Sequence, residues 1–286
     1  MPRKIFKLPV DHLSHSSVEK YLTCPKSWEW QYLVRPEGIS TSEARLVGSA
    51  LHHQMAELLL AKANRTSLTL EQAQAGLVEE LESKLTNLLS IRPTAGFIPS
   101  QEIKVAIELL EEWHAKIYRN FHADADKIEK KIEVEIAGYP FLGFIDAIDY
   151  TEKEMVIDWK VTKSAKTQSN ADTSLQLSTY AIATGIRNVG FCSLVKPRAN
   201  AKNWKPSVQL VTSTRVDHQL KWAEEVIAGV AEGIGRKAFP PCSPSAFLCN
   251  EKYCDFWFLC RGKGQQQYNV EMSEIMNWTR KTPFIE

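Results

Sequence analysis

The sequence predicts a mixed fold, α/β or α+β, built on a central sheet. Two observations carry this. Apolar residues recur at helical spacing up to about residue 121, and then the period changes: "KIEVEIAG" (131–138) alternates Ile132, Val134 and Ile136 against Glu133 and Glu135. Beyond it, strand-like and helix-like runs interchange until Pro240-Pro241, where the missing N–H and restricted backbone stop the last helix.

The elements follow in order. "LSHSSVEKYLTCPKSWEWQYL" (13–33) reads as a helix capped by Ser14 or Ser16, with Val18, Tyr21 and Leu22 at helical spacing. A second helix over 43–63 carries Leu51, Met55, Leu58 and Leu59 as a stripe. Stretches 69–92 and 100–121 are acidic and amphipathic, and 65–125 is expected to form a helical insertion or lid. "PFLGFIDAIDY" (140–150) and "EMVIDWKVT" (154–162) are strands joined by the turn Thr151-Glu152-Lys153. A helix near 172–185, strands near 188–196 and 206–215 and a helix over 217–237 complete a core spanning 130–215, and a cysteine segment occupies 240–262. The whole is expected to be one domain over 1–286.

At 286 residues, 44% hydrophobic and 24% charged, the chain is long enough to bury a full core. No apolar run approaches a membrane span, and "MPRKIFKLPVDHL" lacks a signal-peptide apolar stretch. The expected compartment is therefore a reducing cytoplasm, where clustered cysteines bind metal or do redox chemistry more often than they pair. The net charge of +1 decides nothing about partners, but Trp159 to Val216 holds nine Lys/Arg against one acid, Asp172, which predicts a basic face.

With the turn symmetric about Glu152, Asp146 and Asp158 fall opposite one another on neighbouring antiparallel strands. Like charges facing across a ladder destabilise it unless a cation lies between them. Removing either is therefore expected to leave the metal-free chain as stable as before, or more so. Lys160, two residues beyond Asp158, shares its face, whereas Asp149 points to the other. Two carboxylates and a lysine on one face suit hydrolysis assisted by Mg²⁺ or Mn²⁺; by themselves they more readily suit the solvent face of a half-buried hairpin.

"GFIDAID" followed by "VIDWK" resembles the PD-(D/E)XK nuclease superfamily, and within it the RecB-like branch. "GSALHH" (48–53) is similar to that branch's Gly-x-x-x-His signature, "QLSTY" (176–180) to its Gln-x-x-x-Tyr signature, and the Cys24-Pro25 helix to that of its iron–sulfur members. The resemblance implies a restriction-endonuclease-like core, a mixed sheet flanked by helices. It implies that His52, Asp146, Asp158 and the backbone carbonyl of Trp159 hold Mg²⁺ or Mn²⁺, that Lys160 positions water, and that Gln176 and Tyr180 border the scissile phosphate. Read alone, His52 shares a face with Met55 and Leu59 and could be a core histidine. Gly48, one turn earlier, permits close backbone approach.

Cys249-x₄-Cys254-x₅-Cys260 lacks the tight C-x₂-C knuckles of zinc ribbons, and Tyr253, Phe256, Trp257 and Phe258 would shield a cluster from water. The resemblance implies a [4Fe–4S] cluster on Cys24, Cys249, Cys254 and Cys260, a clasp joining the chain ends. The family often has C-x₂-C-x₅-C here, so zinc stays open, and Cys242 rivals Cys24 as the fourth thiol. Cys192 reads as a strand-core residue.

The activity implied is a DNA nuclease, an exonuclease by its similarity to phage exonucleases and the CRISPR spacer-acquisition nuclease. The rivals are a non-catalytic DNA-end-binding subunit of a recombination, repair or CRISPR complex, and a zinc-stabilised interaction module. In "KPRANAKNWKP" (196–206), Lys196, Arg198, Lys202 and Lys205 surround Trp204. That pairing suits single-stranded DNA, or a solvated loop whose charges deter edge pairing.

Overall fold

The computed structural model describes residues 5–36, 43–87, 98–196 and 205–261. Five strands form one sheet in the order β1 (Ile128–Ile136), β2 (Tyr139–Asp149), β3 (Met155–Thr162), β4 (Asn188–Val195) and β5 (Ser207–Thr214). β2–β3 and β4–β5 are antiparallel and β3–β4 is parallel, so the sheet is mixed. A parallel pair needs a crossover, supplied here by α6 (Gln168–Thr173) and α7 (Leu175–Thr184). β1 and β2 turn through Ala137-Gly138, with φ of 53° and 85°, the paired positive values of a two-residue hairpin.

Contacts gather the chain into two units, each assembled from separated stretches: Met1–Ser40, Glu135–Phe141 and Glu225–Glu286 in one, Thr41–Val134 and Leu142–Glu224 in the other. In the second unit both faces of the sheet are covered, which is why β4 is buried along almost its whole length. α3 (Glu43–Ala63), α4 (Leu70–Asn87) and α5 (Pro99–Lys116) share one core with Trp159 and Leu194. The stretch expected as a helical insertion thus supplies Leu77, Leu81, Leu109, Leu110 and Trp113 to that core, all fully buried. Opposite them, Tyr180 and Leu177 of α7 pack with Ile148, Val156 and Phe191.

In the first unit the helix expected over 13–33 breaks into α1 (His15–Thr23), α2 (Pro25–Glu29) and a π-helical turn, Trp30–Val34. The break has a local cause: Cys24 precedes a proline and is extended, φ −162°, and Pro25 occupies the first helical position of α2. Ser14 is the N-cap, in a reciprocal box with Ser17. Trp28 stacks on Phe239 at 5.5 Å between ring centroids, and Tyr21 donates to the Ala238 carbonyl at 2.6 Å. The helix expected over 172–185 likewise divides, because Ser174 caps α7 with its side chain. α8 (Asp217–Gly235) and α9 (Trp257–Arg261) complete the order, and no helix among the described residues is long and apolar enough to cross a membrane.

Candidate active site and cysteine pocket

β3 carries the site because its pleat separates packing from chemistry. Ile157 and Trp159 enter the core under α3 and α5, where Trp159 meets Trp113 edge-on at 5.7 Å and Phe121 at 5.5 Å. Asp158 and Lys160 therefore project to the other face. The β2–β3 register is symmetric about Glu152, with Ala147 opposite Ile157, Ile148 opposite Val156 and Asp149 opposite Met155. The ladder's regular pairs stop there. The Trp159 N–H donates to Asp146 Oδ2 at 2.6 Å, so the Asp146 carboxylate takes the place of a strand carbonyl. Its second oxygen, Oδ1, lies 3.1 Å from His52 Nδ1 of α3. This corrects the expectation that both aspartates are dispensable for the metal-free fold: Asp146 satisfies a buried backbone donor.

Asp158 is 2% exposed. Gln176 of α7 donates to its Oδ1 at 2.7 Å and to Tyr180 Oη at 2.9 Å, and Tyr180 donates to the Phe144 carbonyl at 2.9 Å. Gln176 and Tyr180 thus form a brace behind Asp158. Lys160 Nζ is 2.6 Å from the buried Asp158 Oδ2, an ion pair. Burial pushes the Asp158 carboxyl up to about 6 against the pull of Lys160, with the Asp146 charge adding to the rise. Burial lowers the His52 imidazole, but its hydrogen bond to Asp146 and the charges of Asp146 and Asp158 raise it on balance. Two crowded carboxylates, one of them buried, beside an imidazole nitrogen make a donor set that fits a hard divalent cation.

The sign of the pH dependence follows. In the metal-free chain folded Asp158 keeps its proton up to about pH 6, whereas the unfolded carboxyl loses it near 3.8. Stability therefore falls as pH rises through that window. Asp158→Asn, free of that penalty, should melt above wild type at pH ~8 in chelator, with the advantage shrinking toward pH ~4. Thermal melts across that range check it, and a pH-independent difference would contradict it.

Other candidates are placed elsewhere. Asp149 accepts from the His122 and Thr151 N–H groups and the Thr151 hydroxyl, away from the site, and His53 pairs with Glu80 at 2.8 Å. Among the described residues a Cβ at Gly48 would meet nothing within 4 Å, so the close approach that a glycine permits is not used by them. The basic face is thinner than the composition implies. Arg215 is fully buried, donating to Ser178, Ser213 and the Ala171 and Ser174 carbonyls, and Arg187 pairs with Asp217. Lys196, proposed from sequence as a DNA contact, is 14% exposed and pairs with Glu102 of α5 at 2.7 Å. Arg198, Lys202 and Trp204 lie outside the described residues, and Lys205 is exposed. Lys196→Met should cost ~1 kcal/mol of stability in chemical denaturation and leave the salt slope of DNA binding unchanged.

Sequence reasoning missed Glu129. Among the described residues, His52, Glu129 and Asp146 form the one group of three metal-ligating side chains whose ligand atoms all lie within 4.8 Å. Glu129 sits second in β1 with φ of 46°, a left-handed conformation that no propensity scale would place there.

The cysteines meet within the first unit. Cys24, Cys242, Cys249, Cys254 and Cys260 line one cavity of about 90 Å³ with Trp30, Phe256 and Trp257. The Cys242 N–H donates to Cys24 Sγ and Arg261 to Cys249 Sγ, both at 3.4 Å. Burial, with Cys24 and Cys249 adding, pushes the Cys242 thiol up to about 12, and burial raises Cys254 and Cys260. Cys192, fully buried in β4, is not part of this group.

A mixed sheet between helices, with two carboxylates and a lysine where β2 and β3 part, defines a nuclease-type core. A model of the PD-(D/E)XK nuclease superfamily matches residues 12–261, and the chain belongs to that superfamily. The solved structure of a "Putative exonuclease" from Eubacterium rectale is similar over 93% of this chain and 92% of its own, with 12% identity and a TM-score of 0.51. At that identity the likeness is one of fold. The solved structure of SSO0001 is similar over 65% of this chain and 81% of its own, with 22% identity and a TM-score of 0.36.

Proposed function

We propose that the chain is a DNA nuclease of the RecB-like branch, dependent on Mg²⁺ or Mn²⁺ and acting as an exonuclease. The observation that carries this is the convergence of the buried Asp158 carboxylate and its Lys160 partner with the Asp146–His52 pair. Asp146, Asp158, His52 and the backbone carbonyl of Trp159 would hold the cation. When bound, it would polarise a phosphoryl oxygen and acidify a water.

The chain's own groups do the rest. Gln176 fixes the Asp158 rotamer through Oδ1 and leaves Oδ2 for the site, and the Trp159 N–H fixes Asp146 in the same way. Lys160, 29% exposed and paired with Asp158, orients the attacking water and offsets charge on the phosphate. Lys205, and Arg198, Lys202 and Trp204 beside it in sequence, are proposed to contact DNA. End-labelled single- and double-stranded DNA incubated with chelated protein, then with added Mn²⁺ or Mg²⁺, tests the activity. Cleavage only after metal addition, with mononucleotides or short fragments released from ends, is expected. Metal-independent cleavage, or none in any metal, would overturn it.

The cysteine pocket is proposed to hold a structural [4Fe–4S] cluster on Cys24, Cys249, Cys254 and Cys260. The aromatic cover and the two N–H donors to sulfur supply the shielding and hydrogen bonds such clusters use.

A further inference from the structure

We propose that Arg215 is a positioning residue for the site: it holds α7 where Gln176 can reach Asp158. The proposal rests on the nuclease reading above and adds a residue remote from the reacting groups. Two charged side chains are buried among the described residues, Asp158 at 2% and Arg215 at 0% exposure. α7 is bonded to both, to Asp158 through Gln176 and to Arg215 through Ser178. Residues two apart on a helix point about 200° from each other, so the two bonds leave opposite sides of α7.

The guanidinium spans three elements. Nε donates to Ser178 Oγ of α7 at 2.9 Å and Nη1 to Ser213 Oγ of β5 at 2.8 Å. Nη2 donates to the Ala171 carbonyl of α6 at 2.6 Å and to the Ser174 carbonyl at 3.3 Å, and Ser174 is the N-cap of α7. Arg215 is itself anchored to the sheet: its N–H donates to the Arg187 carbonyl, one residue before β4, at 2.8 Å. The sheet thereby fixes where α7 begins. Among the described residues these bonds go to hydroxyls and carbonyls and none to a carboxylate, so the charge is buried without an ion-pair partner. Burial of that kind is costly, and packing alone does not require it. What a guanidinium adds is a planar fork that holds several acceptors at fixed separations. On its other side α7 presents Gln176, which donates to Asp158 Oδ1 at 2.7 Å and to Tyr180 Oη at 2.9 Å. A displacement of α7 by about 1 Å takes the first bond past the ~3.2 Å reach of an N–H donor. Misplacement of that size costs up to about a hundredfold in rate.

The test is a double-mutant cycle on the full cluster-loaded protein, Arg215→Lys and Gln176→Ala alone and together, read by steady-state DNA cleavage in Mn²⁺. Arg215→Lys keeps the charge and loses the fork; it should lower kcat at least about tenfold and leave KM for DNA unchanged. In the Gln176→Ala background the same change should alter kcat by no more than about twofold, because the bond it serves is already gone. A second readout needs no cleavage. The side-chain amide signals of Gln176 in ¹⁵N spectra, assigned by their loss in Gln176→Ala, should shift in Arg215→Lys. If Arg215→Lys does not fold, Ser178→Ala takes its place: it removes one acceptor and should give a loss of about threefold, again absent beside Gln176→Ala. The same factor of loss in both backgrounds, or unmoved Gln176 signals, would overturn the inference. A wild type that cleaves no DNA in any metal would overturn the nuclease reading, and the Gln176 signals would then still decide whether Arg215 places α7.

Discussion

Asp158→Ala should lower DNA cleavage by at least about a thousandfold in saturating Mn²⁺, a loss of ~4 kcal/mol of transition-state stabilisation. It removes one of two proposed carboxylate ligands and, with it, the partner that holds Lys160 Nζ at 2.6 Å. Asp146→Ala should match it in cleavage but not in stability. Asp158 is buried at the cost of its charge, so its loss leaves the metal-free fold as stable as wild type or more so. Asp146 accepts the N–H of Trp159, a residue 1% exposed, and its loss leaves that donor unpaired at a cost of about 1–3 kcal/mol. Steady-state cleavage beside denaturant melts in chelator separates the two. Equal stability losses would contradict the role given to the Trp159–Asp146 hydrogen bond, and full activity in either variant would remove the catalytic assignment.

The second large effect belongs to the cysteines. Cys24→Ala, Cys249→Ala, Cys254→Ala and Cys260→Ala should each bleach the visible absorbance of anaerobically purified protein and lower its melting point, because cluster binding is part of folding free energy. A cluster joining Cys24 to Cys249 would also close a loop of more than two hundred residues, where the loss of unfolded-state entropy is large in principle. Cys242→Ala should keep its colour, although its N–H sits 3.4 Å from Cys24 Sγ. The alanine keeps that N–H, so the variant removes only the thiol. Bleaching by Cys242→Ala with colour retained in Cys24→Ala would exchange the two in the ligand set. Colourless wild type holding zinc would replace the cluster altogether.

What the sequence shows of the site is what depends on neighbours along the chain. The turn at Glu152 sets the β2–β3 register because pairing propagates symmetrically from it, and the two-residue period ties Asp158 to Lys160. The one-turn spacing of Gln176 and Tyr180 puts both on one face of α7. What the sequence hides depends on tertiary contact or on backbone angles. The side chain of Asp146 taking a backbone N–H ends the regular pairing where the alternating pattern would carry it on. Lys196 reads as a free cation because its partner, Glu102, is 94 positions away. Glu129 reads as an ordinary strand residue, since a positive φ at a glutamate has no compositional signal. Cys24 could be paired with the late cysteines only through the family resemblance, and the break before Pro25 that shapes its surroundings falls inside what the sequence reads as one helix, although the proline there gives its cause.

The most direct test of the metal site is anomalous diffraction at the manganese edge from crystals grown with Mn²⁺ and an uncleavable phosphorothioate oligonucleotide. The account predicts manganese bound by Asp146, Asp158 and His52, about 2.2 Å from the ligand atoms, with a phosphoryl oxygen of the oligonucleotide in its shell. Manganese bound elsewhere, or an oligonucleotide phosphate remote from Lys160 and both aspartates, would contradict it.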